Sequence, residues 1–322
     1  MTLLAPGRPT VDDLEAHRRE LTGYCYRVLG SAADADEAAQ DTLTKAWRAL
    51  DGFEGRSSVR TWLFRIASRT CLDLAESRGR RARPVDLGPA GDVDAPDLVQ
   101  LPGETWVSPV PSDAVLPDEP AVRAELRESV RLAFVAALQH LPPRQRAVLV
   151  LREVLSFSAA ETAEALETSV PSVNSALQRA RATLAAADLD TDGARPLSES
   201  DTDRALLDRY VEAFERYDTD ALARLLADDV VQSMPPFRLW LDGRDDVVRW
   251  MLGPGAECRG SRLLVVDVNG SPGFAQYRDG GETPWSLNVL HVRDGEVVEI
   301  ATFVETDGSL FARFGLPERF DA

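Results

Sequence analysis

The chain has 322 residues, 44% of them hydrophobic. That length exceeds one small core and calls for three domains, while no window nears the roughly 18 to 20 unbroken apolar residues that a membrane span needs. The net charge of −17 works against a uniform phosphate-binding surface, so contact with nucleic acid has to come from local clusters of arginine. Cys25, Cys71 and Cys258 stand far apart and away from metal-ligand spacing, which argues against a disulfide framework or a zinc site and for buried thiols. Neither a cofactor nor a metal is expected. The N-terminus, MTLLAPGRPTVDDLEAH, lacks the charged head and apolar stretch of a secretory signal, so a cytoplasmic location away from membranes is expected.

Thr10, with Asp13 three residues on, predicts a capped helix whose face Leu14, Leu21, Tyr24 and Val28 ends at Gly30. A second helix is predicted from about Asp34 to Leu50. Its stripe Ala39, Leu43, Ala46/Trp47 and Leu50 faces a core, while Asp34, Asp36, Glu37, Gln40 and Asp41 crowd the N-terminal end of the other face. Acids there suit a docking surface, and they equally suit the helix dipole. After a loop over Asp51 to Ser57, a third helix carries Val59, Trp62/Leu63, Ile66, Thr70 and Leu74 inward, with Arg60, Arg65 and Arg69 pointing elsewhere. The run Arg78, Arg80, Arg81, Arg83 closes a locally basic stretch that suits phosphates.

From Pro84 to Pro120 prolines and acids recur without a basic residue, which predicts an extended acidic linker; Trp106 and the Leu and Val residues around it are suited to dock on a neighbour. Helices resume near Ala121 and run through Leu126, Val130, Ala133/Phe134 and Ala137/Leu138 to Leu141-Pro142-Pro143. A second starts at Arg144 and breaks at Leu155-Ser156-Phe157. Ser158 and Glu161 have capping-box spacing, a turn falls at Glu167-Thr168-Ser169, and a last helix covers about Val170 to Ala186, a helix-turn-helix pattern. Val173, Leu177, Ala180 and Leu184 face inward there. Ser172, Asn174, Ser175, Gln178, Arg179 and Arg181 face outward, the types that read major-groove edges and phosphates, although a plain solvated face has the same composition.

These blocks resemble a known family. DADEAAQDTLTKAWRAL, then Phe53-Glu54-Gly55, then SVRTWLFRIASRTCLD, is similar to region 2 of the extracytoplasmic-function (group 4) sigma factors of the sigma-70 family. LPPRQRAVLVLREVLSFSAAETAEAL followed by SVPSVNSALQRAR resembles region 4 of the same family. The resemblance implies partners in core RNA polymerase (its β and β′ subunits) and promoter DNA. It implies polymerase contacts by Asp36, Glu37, Gln40, Asp41 and Arg48 on the β′ clamp helices. It implies −10 contacts by Phe53, Arg56, Ser58, Arg60, Trp62, Arg65 and Arg69, with a flipped base received by the loop Phe53 to Ser58. It implies −35 contacts by Ser172, Asn174, Ser175, Gln178, Arg179 and Arg181. Arg69 stands where many relatives carry Asn. An anti-sigma protein or a small-molecule ligand is a further candidate partner.

A break at 188–200 precedes the last segment. Helices are predicted at Thr202 to Tyr217 and Thr219 to Leu226, ahead of the segment Val230 to Met234, and at Arg244 to Trp250, with strands at Arg262 to Val268, Gly273 to Arg278, Trp285 to Arg293 and Glu296 to Val304. Turns fall at Asn269-Gly270, Asp279-Gly280-Gly281 and Asp294-Gly295. Helices followed by a curved antiparallel meander resemble the SnoaL-like, NTF2-like α+β cone, and two stretches resemble the sigma-G-type subset of the family, in which such an extension regulates the sigma core. Met234, Phe237, Trp240, Trp250, Trp285 and His291 suit a pocket lining or simply a core. Asp228 or Asp229 with His291 is an Asp/His pair that no spacing demands, so catalysis is not expected. The expected fold class is multidomain: two all-α sigma domains, a region 2 helical bundle at 10–83 and a region 4 helix-turn-helix at 121–187, joined by a linker at 84–120 and followed by the α+β cone at 201–320. The competing reading is a SnoaL-like enzyme or ligand sensor fused to a helix-turn-helix DNA-binding regulator.

Overall fold

The computed structural model describes residues 9–186, 194–198 and 200–320. Among these the chain divides into two compact units, 9–81 with 113–186 and 82–112 with 194–320.

The first unit is helical. Thr10 and Asp13 form a capping box on α1 (Val11–Glu15), and a break at Ala16 and His17 separates it from α2 (Arg18–Leu29), where the sequence suggests one helix. Gly30 stops α2 at φ 71°, a conformation that a Cβ disfavours. Ser31 and Ser58 cap α3 (Ala32–Ala49) and α4 (Val59–Arg78) with their hydroxyls. Leu21, Tyr24, Leu43, Ala46, Leu63, Phe64, Ala67 and Cys71 of these helices are buried. Tyr24 meets Phe64 edge-on at 5.2 Å and shares a hydrogen bond with Ser68 at 2.8 Å. The buried face of α4 therefore runs through Phe64, Ala67 and Cys71 rather than Ile66 and Leu74, which are half-buried.

After the turn α5 (Ser112–Val115), the long helix expected from Ala121 is broken at Arg131 into α6 (Pro120–Arg127) and α7 (Leu132–Leu138). Pro143 opens α8 (Pro143–Leu149), which continues as a π-helical turn over Val150–Val154. The Ser158–Glu161 capping box starts α9 (Ala159–Ala165), and α10 (Val170–Ala186) follows the turn around Glu167. Buried arginines hold this unit together. Arg146 of α8 donates to the carbonyls of Val28, Gln139 and Leu141, Arg27 donates to Ser129 Oγ at 2.8 Å, and Arg81 bonds Asp34. Burial pushes Arg27 and Arg146 each down to about 10, still charged at neutral pH.

The second unit is built on a sheet whose strands run in the order β3-β2-β7-β6-β5-β4, where the strands are β2 (Leu226–Ser233), β3 (Trp240–Asp242), β4 (Arg262–Val268), β5 (Ser271–Arg278), β6 (Thr283–Arg293) and β7 (Glu296–Val304). The short β1 (Arg195–Pro196), inside the expected break, pairs with β6. β4 to β7 form the predicted meander, but β2 pairs parallel to β7, so the sheet is mixed. α11 (Asp201–Glu215), α12 (Thr219–Ala223) and α13 (Arg244–Leu252) cover one face, where Leu206, Tyr210, Val247 and Met251 pack on Phe274, Leu290 and Ile300. α14 (Ser309–Arg313) puts Phe311 against Ala275 and Tyr277 in a separate cluster. Most of the segment expected as an extended linker at 84–120 instead packs with this unit, which takes in residues 82–112: Val93 lies in its core, and Trp106, Val107 and Val110 are buried.

Candidate nucleic-acid interface

Asp36, Glu37, Gln40, Asp41 and Arg48 are all exposed on one flank of α3. Helical spacing places Trp47 in line with Asp36 and Gln40. Trp47 is 58% exposed, so the expected inward Ala46/Trp47 pair splits: Ala46 alone is buried. A period of 3.6 residues gives neighbours nearly opposite directions only at half-turn steps, so adjacent apolar residues at a stripe's edge do not reveal which one turns out. Several of these side chains are held in place. Glu37 accepts from Arg78 at 2.8 Å, Gln40 accepts from Arg18 at 3.0 Å, and Asp41 pairs with Lys45 at 2.7 Å. Beside this strip lies a cavity of about 1100 Å³ lined by Glu15, Arg18, Glu20, Asp36, Gln40 and Asp118 among others.

The −10 candidates fall into two groups. Phe53 tilts against Trp62 with ring centroids 4.9 Å apart, Trp62 is 7% exposed, and Ser58 Oγ accepts the Thr61 amide at 3.0 Å. Arg60 is also engaged: it donates to Glu20 Oε1 at 2.9 Å and the Leu155 carbonyl at 2.9 Å, and its guanidinium lies 4.1 Å from the Phe157 ring centre. Burial works to raise Glu20, but bonds from His17 and Arg60 more than offset it and hold the carboxyl below its ordinary value. Arg56, paired with Glu54 at 3.0 Å, and Arg69 are exposed, and Arg65 is half-buried. Arg65 and Arg69 make no ion pair among the described residues.

The basic run at the end of α4 is largely engaged by partners within the chain, and only Arg81 of it is buried. Arg78 and Arg81 both bond the buried Asp34, Arg80 lies 2.9 Å from His140, and Arg83 bonds Asp86 through its backbone amide at 2.9 Å. A run of arginines reads as a phosphate surface only while its acidic partner, distant in sequence, goes unseen.

On α10, Ser172, Asn174, Ser175, Gln178, Arg179 and Arg181 are exposed, and Val173, Leu177 and Ala180 are buried. Arg181 pairs with Glu153 at 2.5 Å, leaving Arg179 as the outward guanidinium with no ion pair among the described residues.

The pocket candidates of the second unit are dispersed. Met234 joins the core, and Trp250 and Phe237 pack at its margin. Trp240 donates its indole N–H to the Gly88 carbonyl at 3.0 Å. Trp285 lies under Arg278 at 4.4 Å, and the buried His291 has Nδ1 2.9 Å from Glu299 Oε2. Asp228 and Asp229 pair with Arg244 and Arg293, both at 2.7 Å. Sequence reasoning missed a buried polar chain that runs from Ser261 through Gln276, Ser286 and Asn288 to Thr302 by bonds of 2.7 to 3.0 Å. Only strand register reveals it. Among the described residues no helix is long and apolar enough to cross a membrane, and no group of three or more His, Cys, Asp or Glu gathers for a metal.

Comparison with known proteins matches three family models: Sigma-70 region 2 over residues 14–81, Sigma-70, region 4 over 131–184, and the SnoaL-like domain over 207–300. The chain is 43% identical over 310 residues to the ECF RNA polymerase sigma factor SigG of Mycobacterium tuberculosis, covering 94% of this chain and 83% of the relative. It is 27% identical over 318 residues to SigJ, another ECF RNA polymerase sigma factor of that organism, covering 92% of each. The crystal structure of M. tuberculosis SigJ superposes with a TM-score of 0.60 at 24% identity, covering 96% of this chain and all of that one, which shows a shared fold.

Proposed function

The chain belongs to the ECF RNA polymerase sigma factors, and from that premise we propose that it docks on core RNA polymerase through α3 and directs it to promoters through α4 and α10. The polymerase contact is assigned to Asp36, Glu37, Gln40, Asp41 and Arg48, with Trp47 added as the apolar anchor of the strip. The −10 contact is assigned to Arg56, Arg65 and Arg69 around the Phe53–Trp62 aromatic pair, a combination suited to unstacked single-stranded bases and their phosphates. The −35 contact is assigned to Ser172, Asn174, Ser175, Gln178 and Arg179. The observation that carries this reading is the exposure of Trp47 inside an acidic strip: a large aromatic side chain in water beside oriented charges suits the anchor of a protein-binding face.

The proposed divisions are 10–83 and 121–187 for the promoter-reading modules, 84–120 for the tether and 201–320 for a regulatory, non-catalytic extension. Surface arginines occupy Asp228 and Asp229, which supports the last point. The site of action is the cytoplasm, where the polymerase works. An anti-sigma protein or a small molecule is a further candidate ligand. The test is transcription by core polymerase on sheared genomic DNA of the source organism, with full-length chain, residues 1–195, and the Trp47→Ala variant. Start sites that depend on the chain are expected, and Trp47→Ala is expected to lose about tenfold or more in polymerase affinity. No chain-dependent start from either length ends the proposal.

A further inference from the structure

Of the chain's 36 lysines and arginines, Lys45 alone is a lysine. It stands on α3 one turn beyond Asp41 and one turn before Arg48, on the flank assigned to polymerase. Its ammonium meets Asp41 Oδ2 at 2.7 Å and donates across the helix pair to Thr70 Oγ1 of α4 at 3.1 Å. Thr70 is buried, and its neighbour Arg69 is an exposed guanidinium assigned to the −10 strand. Lys45 therefore marks the point where the polymerase flank of α3 touches the helix that faces DNA.

The residue type fits that place. An arginine would grip Asp41 with its planar fork, two bonds in one plane, whereas a tetrahedral ammonium shares three donors among partners on different sides. Asp41 and Thr70 take two of the three, and the last is left to solvent on a side chain that is 49% exposed. The hold on Asp41 is weak, because an exposed pair is screened by water and salt, and a competing cation displaces it at little cost. Thr70 keeps the lysine anchored when Asp41 is taken. While the pair is closed, Asp41 offsets the charge and a phosphate gains little by approaching it.

We propose that Lys45 couples docking on polymerase to the grip on the −10 strand. A basic group of polymerase takes Asp41, and the ammonium, still anchored on Thr70, turns its freed donor to a backbone phosphate of the single strand beside Arg69. This deepens the reading above and rests on its assignment of Asp41 to polymerase and of α4 to the −10 strand.

The test is fluorescence anisotropy over a salt series with a labelled single-stranded oligonucleotide that bears the −10 sequence of a mapped start site. The full chain is measured alone and bound to core polymerase. In the complex, Lys45→Met is expected to weaken strand binding about three- to tenfold and to flatten the salt slope by about 0.7, the share of one single-strand phosphate. In the free chain the same variant is expected to lose about twofold or less, because Asp41 already offsets the charge. Equal losses with and without polymerase make Lys45 an ordinary phosphate contact and overturn the coupling, as does no loss in the complex. Asp41→Asn supplies the release without polymerase: the free chain is expected to bind the strand about twofold more tightly, and the gain to vanish when Lys45→Met is added. A gain that persists in the double variant is a general charge effect and overturns the proposal. A wild-type complex that does not bind the strand, or a polymerase affinity untouched by Asp41→Asn, overturns the underlying assignment and the proposal with it.

Discussion

α4 and α10 both carry arginines on faces turned from their own buried stripes, yet the two helices use them differently. At the start of α4, Arg60 is fastened to Glu20, the Leu155 carbonyl and the Phe157 ring, and at its end Arg78 bonds Asp34 and Glu37. On α10, among the described residues, Arg181 alone is in an ion pair, with Glu153, and Arg179 projects outward. Arginine content therefore does not measure a nucleic-acid surface. A guanidinium with a buried carboxylate or carbonyl beside it holds modules together, and one that faces water is available to DNA.

The contrast is broken or sharpened most strongly at Asp34. Asp34→Asn takes the carboxylate from Arg81, whose side chain is 5% exposed, and is expected to cost about 3 to 5 kcal/mol of stability in urea unfolding of the full chain. Arg179→Ala is expected to weaken −35 duplex binding by about 1 to 3 kcal/mol in fluorescence anisotropy. Its unfolding midpoint should be unmoved; a matching loss of stability would place Arg179 with the fastened arginines Arg60 and Arg78 of α4.

Arg60→Ala is expected to reduce stability by about 1 to 2 kcal/mol by removing partly buried bonds and a cation–π contact. That loss should depend on pH. Glu20 is held below its ordinary value of 4.5, so its contribution is complete above that pH and drains away as pH falls. The difference between wild type and Arg60→Ala should therefore narrow in denaturation curves below about pH 4. The smallest effect is expected from Glu153→Gln, which frees an exposed pair: stability changes by about 0.5 kcal/mol or less, while the salt dependence of −35 binding steepens by up to about one phosphate.

Much of the helical part was legible because its signals are local. The Thr10–Asp13 and Ser158–Glu161 boxes, the αL glycine at Gly30 and the apolar spacing of Val173, Leu177 and Ala180 each act within one or two turns. The strands β4 and β7 fell where alternation and the Asn269-Gly270 and Asp294-Gly295 turns put them. The breaks at Ala16–His17 and Arg131 were not legible, because no proline or glycine marks them. β1 and β3, two and three residues long, are too short for a period and exist through their partners β6 and β2.

The amino-acid sequence alone determined the order of the modules, the helix-turn-helix and the outward residues of α10, since caps, turns and periodicity are properties of neighbours along the chain. Tertiary structure alone decided that Trp47 faces water, that Arg60, Arg78 and Arg81 are spoken for, and that the proline-rich acidic segment is a bound strap rather than a free tether. For the arginines and the strap the deciding partner is dozens of residues away. A side chain's charge is written in the sequence, but what neutralises or covers it depends on which distant surfaces the fold brings within a few ångströms.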